Sequence, residues 1–254
     1  MPSENRIPSA VSLWPGPRPD ADRVLICFGY SGGGTAPFRP WARELGPDTE
    51  LALYCYPGRD IRSDEDPVED WPALLADAAE SVAPLAAERP YLLFGHSLGA
   101  WVAFEVALEL ERRGLPRAGH LFVSAMGSPT DYREQLRKPP TADDTEEELR
   151  DWLLAAGQIP DEVAEEPELV QMAVDLLRAD LTAAAGYRHL PGSAVRAPIT
   201  ALYGAEDPDT GPVIVDGWRR LTAPGGFRSH ALPGGHFYTP ETWAALPALL
   251  TNLV

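Results

Sequence analysis

Apolar positions along this chain fall into two kinds of run that alternate from near the start to the end. Continuous apolar runs of roughly 4–8 residues, rich in β-branched and aromatic side chains, read as strands buried on both faces. Six such strands are expected: "RVLICFGY" (23–30), "LALYCYPG" (51–58), "YLLFG" (91–95), "GHLFVSA" (119–125), "APITALYGAED" (197–207) and "FRSHALPGGH" (227–236). Between them lie segments with apolar residues at helical spacing. "PFRPWARELG" reads as a short helix ending at Gly46. "DWPALLADAAESVAPLA" (70–86) reads as a longer one, with Asp70 as its cap and Pro72 in its first turn. "GAWVAFEVALELERRG" (99–114) is a third, with Arg112 and Arg113 in the last turn and Gly114 as its stop. "PETWAALPALLTNL" closes the series.

Strands alternating with helices predict an α/β protein. Its central sheet is mostly parallel, its crossovers right-handed, and helices cover both faces. One segment breaks the rhythm. From about 131 to 190 the signal is helical throughout, in "TEEELRDWLLAAG", "PDEVAEE" and "PELVQMAVDLLRADLTAAAGY". That is too long for an ordinary crossover. It reads as a helical lid insertion over the C-terminal edge of the sheet, within one domain spanning 1–254.

Composition narrows the picture. The 254 residues carry a formal charge of −17, with 44% hydrophobic residues. Lys138 is the only lysine. This balance argues against nucleic acid and anionic membranes as partners, because both need clustered cations. No apolar run reaches the roughly 20 residues of a membrane span, and the first residues lack a secretory pattern. A cytoplasmic monomer is the expectation. Cys27 and Cys55 lie in strand-like runs and are expected to be buried, reduced thiols.

Two stretches spell G-x-S-x-G: Gly29-Tyr30-Ser31-Gly32-Gly33 and Gly95-His96-Ser97-Leu98-Gly99. A nucleophile elbow needs a strand, a sharp turn carrying the serine, and a helix that starts at once. "YLLF-GHSLG-AWVAFEVALEL" supplies all three. The earlier stretch supplies the strand and then Gly32, Gly33 and Gly34, each costing about 1 kcal/mol in a helix relative to Ala. Ser97 is therefore the candidate nucleophile. The glycine loop suits an oxyanion hole, with donors at the backbone N–H of Leu98 and, from the loop, Ser31.

A serine needs a base, and the base an orienting acid, in the chain order Ser, acid, His. Of five histidines, His236 follows the last strand in a Gly-Gly-His turn, the expected place. His96 flanks the serine and faces away from the line of attack; His120, His189 and His230 fall elsewhere. After the fifth strand, "LYGAEDPDTG" offers Glu206, Asp207 and Asp209. Asp207, at the turn before Pro208, is the first choice as acid and Asp209 the second.

These residues carry a resemblance over nearly the whole chain. "LICFGYSGG", "YPGRDIR" (56–62), "LFGHSLGAWVAFEVALEL", "LFVSAMGSP", "LLRADL" (176–181), "PITALYGAED" and "LPGGHFY" (232–238) follow in the order seen in type II thioesterases. These are the stand-alone editing hydrolases of polyketide and nonribosomal peptide synthesis. The resemblance implies the α/β-hydrolase fold, a Ser97–His236–Asp207 triad, an oxyanion hole at Ser31 and Leu98, and substrate contacts at Tyr30 and Gly32. The sequence departs from the family pattern at Gly29, Ser31 and the added Gly34, which predicts a looser oxyanion loop.

The substrate so implied is an acyl group in thioester linkage to the phosphopantetheine arm of an acyl or peptidyl carrier protein. No metal or diffusible cofactor is called for. Such carriers are acidic, like this chain, so docking is expected to use local cations such as Arg133, Arg137 and Lys138. Two rival readings share the triad: a free-ester or acyl-CoA hydrolase, and a chain-releasing thioesterase or acyltransferase.

Overall fold

The computed structural model describes residues 10–131, 140–159 and 161–254. Its centre is a seven-stranded sheet made of β1 (Val11–Trp14), β2 (Arg23–Phe28), β3 (Thr49–Tyr54), β4 (Tyr91–His96), β5 (His120–Ser124), β6 (Ile199–Gly204) and β7 (Phe227–Leu232). The strands lie in the order β1-β3-β2-β4-β5-β6-β7. All neighbours are parallel except β1, which runs antiparallel to β3 with Val11 opposite Tyr54. The six expected strands are therefore all present, and β1 is a seventh that periodicity missed. It is four residues long, contains Ser12, and pairs only on the sheet's edge, so it lacks the continuous apolar run of a central strand.

The period-2 alternation of the strands divides the interior into two cores. Val24, Ile26 and Phe28 of β2, with Leu93, Leu121, Val123 and Ala201, face α1 (Trp71–Glu88) and α2 (Leu98–Arg112). Leu25, Cys27, Leu92, Phe94, Phe122 and Leu202 face the other way. There they meet Phe38 and Trp41, and Leu246 and Leu250 of the C-terminal helix Pro240–Asn252. The segment expected as a short helix ending at Gly46 is a 3-10 helix, Ala36–Arg43, with Pro40 inside it. Cys27 and Cys55 are buried free thiols.

Caps fall where the sequence places them. The Asp70 carboxylate accepts from Ala73 N at 2.9 Å, and Gly114 takes φ +78° beyond the end of α2.

Between β5 and β6 the described chain is helical: α3 (Glu146–Ala155), α4 (Asp161–Ala164) and α5 (Pro167–Ala185). Thr145 and Glu148 form a capping box at the start of α3. Leu149, Leu153, Ile159, Val170, Val174 and Leu177 make a small core of this segment's own. The C-terminal part of α5 joins the main core through Ala183, Ala184 and the following Tyr187. The insertion is thus anchored at its end and packs α5 beside the loop after β2. The next two helices are α6 (Pro212–Val215) and α7 (Pro240–Asn252). No helix of the described residues is long and apolar enough to cross a membrane.

Candidate active site

Ser97 sits between β4 and α2 with φ 54° and ψ −123°. A non-glycine residue there costs on the order of 1–3 kcal/mol and persists only where its surroundings hold it. They do so here: Ser97 N donates to Ser124 O at 2.8 Å, and Ala100 N to Ser97 O at 2.9 Å. The flanking glycines are sterically required. A Cβ on Gly95 would lie 2.0 Å from the Gly99 carbonyl oxygen, and one on Gly99 would lie 2.3 Å from that of Phe28. The turn is therefore a strained elbow that lifts the serine above the sheet and aims the N-terminus of α2 at it.

His236 and Asp207 come to this serine from two later loops. His236 Nε2 lies 3.1 Å from Ser97 Oγ, and His236 Nδ1 lies 3.1 Å from Asp207 Oδ2. Asp207 Oδ2 also accepts from the Thr210 hydroxyl, and Oδ1 accepts from Asp209 N at 2.9 Å. Burial works against the Asp207 charge, but the bonds from His236, Thr210 and Asp209 N–H outweigh it and hold the pKa down at about 2. The Asp207 side chain is 2% exposed and that of His236 30%. The carboxylate is thus shielded and the imidazole meets the cavity. Asp209, the second choice for the acid, contributes its backbone N–H to Asp207.

His96 lies beneath the triad. Its ring is fully buried, 5.4 Å from that of His236, with Nδ1 2.9 Å from Ser124 Oγ, which in turn lies 2.7 Å from Tyr238 OH. Burial, then the neighbouring His236, pushes the His96 pKa well below its usual value, so this ring is neutral. It faces away from attack, as its position in the elbow implied, and packs the floor of the site.

The glycine loop after β2 closes the other side. Among the described residues neither Ser31 N nor Leu98 N donates a hydrogen bond within the protein, and both residues line the cavity above Ser97. Tyr30 lines it as well, its ring 4.9 Å from that of Phe237. Gly32, expected to touch substrate, does not line the cavity. Its N–H is spent on Asp180 Oδ2 at 2.7 Å, and Leu177 packs against its Cα.

The loop is also not loosened by its extra glycine. Arg59 Nη1 donates to Gly33 O at 3.1 Å, Tyr56 OH to Gly29 O at 3.0 Å, and Thr35 N to Asp60 Oδ2 at 2.6 Å. Gly34 is where the Asp60 carboxylate passes, since a Cβ there would lie 2.8 Å from it. Gly33 makes room for the Tyr30 ring, 2.4 Å from where its Cβ would be. The glycines admit neighbouring side chains that fix the loop, and the expectation of looseness is corrected on that ground.

The cavity measures about 510 Å³. Ser97, His236 and Asp207 lie at its base. Trp101, Met126, Phe237, Trp152 and Ala155 of α3, and Leu181 and Ala184 of α5 make a mostly apolar wall, with Gln158 and Thr210 as polar side chains in it. The helical insertion therefore supplies part of the chamber. Arg133, Arg137 and Lys138, expected at a docking surface, lie outside the described residues. Sequence reasoning gave no role to Thr210, Ser124, Tyr238, Asp60, Arg59 or Asp180. Arg59 and Asp180 stood inside quoted motifs, but 121 residues separate them and no local pattern pairs them.

A strained serine at a strand–helix elbow, a buried Asp–His relay and two free backbone N–H groups define a serine hydrolase of the α/β-hydrolase fold. The comparisons narrow the class. The model of the thioesterase domain matches residues 23–253, and the chain belongs to that family of thioester hydrolases. It is 38% identical over 84% of its length to AMB antimetabolite synthetase AmbE of Pseudomonas aeruginosa, of which it spans only 10%. Among solved structures, RedJ, a thioesterase from the prodiginine biosynthetic pathway of Streptomyces coelicolor, is 32% identical with a TM-score of 0.83, covering 94% of this chain and 92% of that one. The type II thioesterase BorB from the borrelidin biosynthetic cluster is 33% identical with a TM-score of 0.79, covering 96% and 97%. The resemblance to type II thioesterases read from the sequence motifs agrees with these relatives.

Proposed function

We propose that the protein is an editing thioesterase that removes acyl groups from the phosphopantetheine arm of acyl or peptidyl carrier proteins in polyketide or nonribosomal peptide synthesis. The observation that carries this reading is the unbroken relay from Asp207 through His236 to Ser97, at the base of a mostly apolar chamber. The names of RedJ and BorB, both from such pathways, support the choice of substrate.

Ser97 Oγ attacks the thioester carbonyl while His236 Nε2 takes its proton. Negative charge develops on the carbonyl oxygen, where the Ser31 and Leu98 N–H groups receive it. Loss of one such donor costs about 10²–10³ in kcat in comparable sites. Asp207 fixes the imidazole with its proton on Nδ1 and steadies the imidazolium that forms. The C–S bond breaks, the thiolate leaves with the proton from His236, and the acyl group remains on Ser97. Water then attacks the ester, giving one proton to His236; the bond between Ser97 Oγ and the acyl carbon breaks, His236 Nε2 returns that proton to Ser97 Oγ, and the free acid departs. Every step uses side chains and backbone of this chain, without a metal or diffusible cofactor, and one copy of the chain suffices.

The test is incubation with a panel of acyl-loaded carrier proteins, reading released free acid by mass spectrometry for wild type and Ser97→Ala. Release by wild type alone supports the reading. Turnover of simple esters with no release from any carrier would sink it in favour of a free-ester hydrolase, and a macrocycle or ester product would favour chain release.

A further inference from the structure

Asp180 of α5 and Arg59, from the loop after β3, meet in a bidentate pair at 2.7 and 2.8 Å, with side chains 4% and 6% exposed. Neither residue touches the triad. Both reach the glycine loop: Asp180 Oδ2 accepts from Gly32 N at 2.7 Å and Arg59 Nη1 donates to Gly33 O at 3.1 Å. Gly32 directly follows Ser31, which lines the cavity and whose N–H makes no hydrogen bond among the described residues. The Leu177 Cβ, one turn earlier on α5, would lie 3.3 Å from a Cβ at Gly32, so the helix abuts the loop backbone. The Ser31–Gly32 and Gly33–Gly34 peptide planes are thus set by groups belonging to α5 and to the arginine it holds, and Gly33 N donates at 3.0 Å to Tyr30 O, the carbonyl of the peptide that carries the Ser31 N–H.

A buried ion pair stabilises a fold little, because desolvation of both charges offsets their attraction. An apolar pair of similar volume would fill the same space. What such a pair supplies here is direction: one carboxylate oriented by a planar guanidinium, and aimed at one backbone N–H. The neighbouring Arg178 points the other way, donating to the carbonyls of Ala142 and Asp144 at 2.6 and 2.8 Å and tying α5 to the chain entering α3. Two residues apart, these side chains link the insertion to its own entry and to the glycine loop.

We propose that Arg59 and Asp180 are positioning residues that make the oxyanion hole conditional on the helical insertion: the Ser31 N–H is aimed only while α5 is seated. A displacement of α5 by about an ångström breaks the bond to Gly32, since hydrogen bonds weaken steeply beyond their normal length. An acyl group that packs against Leu181 and Ala184 holds α5 in place and so completes the site that reacts with it. This inference rests on the reading of Ser31 N–H as an oxyanion donor.

The test uses the double variant Arg59→Met/Asp180→Leu, which leaves no unpaired buried charge, with an acyl thioester of N-acetylcysteamine as substrate. It also compares two inhibitors of the same acyl chain. A trifluoromethyl ketone takes the Ser97 oxygen on its carbonyl carbon and places negative charge on its oxygen; the corresponding carbinol does neither. With the thermal midpoint near that of wild type, kcat is expected to fall about 10–1,000-fold with KM little changed, and ketone affinity to fall in step while carbinol affinity holds. If kcat and ketone affinity stay within about twofold of wild type, or if both inhibitors weaken alike, the inference is overturned. Should the double variant fail to fold, Asp180→Asn, which keeps the volume, is read by the same two ratios. Ser97→Ala separates the failures: activity surviving in it defeats the proposed mechanism as a whole, whereas a dead Ser97→Ala beside an intact double variant defeats the strut alone.

Discussion

Replacing Asp207 with asparagine tests the relay most directly, because its geometry dictates how the new amide must turn. Asp207 Oδ1 accepts from Asp209 N at 2.9 Å, and that backbone group can only donate. Oδ2 faces His236 Nδ1 at 3.1 Å and the Thr210 hydroxyl. The asparagine carbonyl therefore belongs at Oδ1 and its NH₂ at Oδ2. The hydroxyl of Thr210 can rotate to accept from that NH₂, but the imidazole must then present a bare Nδ1 and carry its proton on Nε2. In that tautomer it cannot take the Ser97 proton. The opposite amide orientation restores the tautomer and sets NH₂ against the Asp209 N–H, leaving a buried donor unpaired at a cost of about 1–3 kcal/mol.

Exchanging a charged for a neutral acceptor beneath the imidazolium adds about 1–2 kcal/mol. Together these give about 2–5 kcal/mol, or a fall in kcat between about 30-fold and 5,000-fold. The assay is kcat and KM on an acyl thioester, beside Asp209→Asn, which retains its backbone N–H and is expected to keep near-normal kcat. A kcat for Asp207→Asn above about a tenth of wild type would refute the tautomer argument.

Ser31→Ala is expected to keep most activity, because the serine acts through its N–H, whereas Ser97→Ala loses the acyl-enzyme, as trapping by mass spectrometry would show; equal loss in both would reassign the glycine loop. Gly99→Ala places a Cβ 2.3 Å from Phe28 O and should lower stability in urea by about 1–3 kcal/mol or more, while Gly211→Ala, with open space around it, should not. Burial holds His96 well below its usual pKa and, ahead of the charge of Arg228, brings His120 down to about 4. The unfolded chain therefore binds protons below about pH 6.5 that the folded chain refuses, so the urea midpoint should be flat above that pH and fall beneath it. His120→Gln should reduce the slope between about pH 6.5 and 4. Asp207 acts in the same direction at lower pH: its depressed pKa stabilises above 3.8 and that contribution disappears as pH falls toward about 2.

What could be read in the sequence was whatever depends on neighbours along the chain. The central strands are legible because parallel strands are buried on both faces and must be apolar throughout, as in "VLICF" and "YLLFG". The elbow is legible because the turn at Ser97 admits only glycine two residues to either side, and the helix begins at once. His236 and the loop that holds the acid are legible because chain order in this architecture restricts each to one place. By contrast β1, four residues long and partnered only on one side, has no pattern of its own until β3 is there to receive it. The segment Ala36–Arg43 carries helical spacing and forms a helix, of the 3-10 kind.

Sequence by itself thus determined the fold class, the candidate nucleophile, its base and the loop that supplies the acid, since each follows from local sterics and the direction of the chain. Only the tertiary structure decided between Asp207 and Asp209, because the choice rests on which carboxylate the Thr210 hydroxyl and the Asp209 N–H surround. Only it could show that the glycine loop is held by hydrogen bonds from outside. A run of glycines looks flexible when read alone, and its order comes from Asp60, Arg59 and Asp180, which reach it from residues 25 to 148 positions away. Hydrogen bonds depend on distance in space, and no periodicity along the chain encodes that.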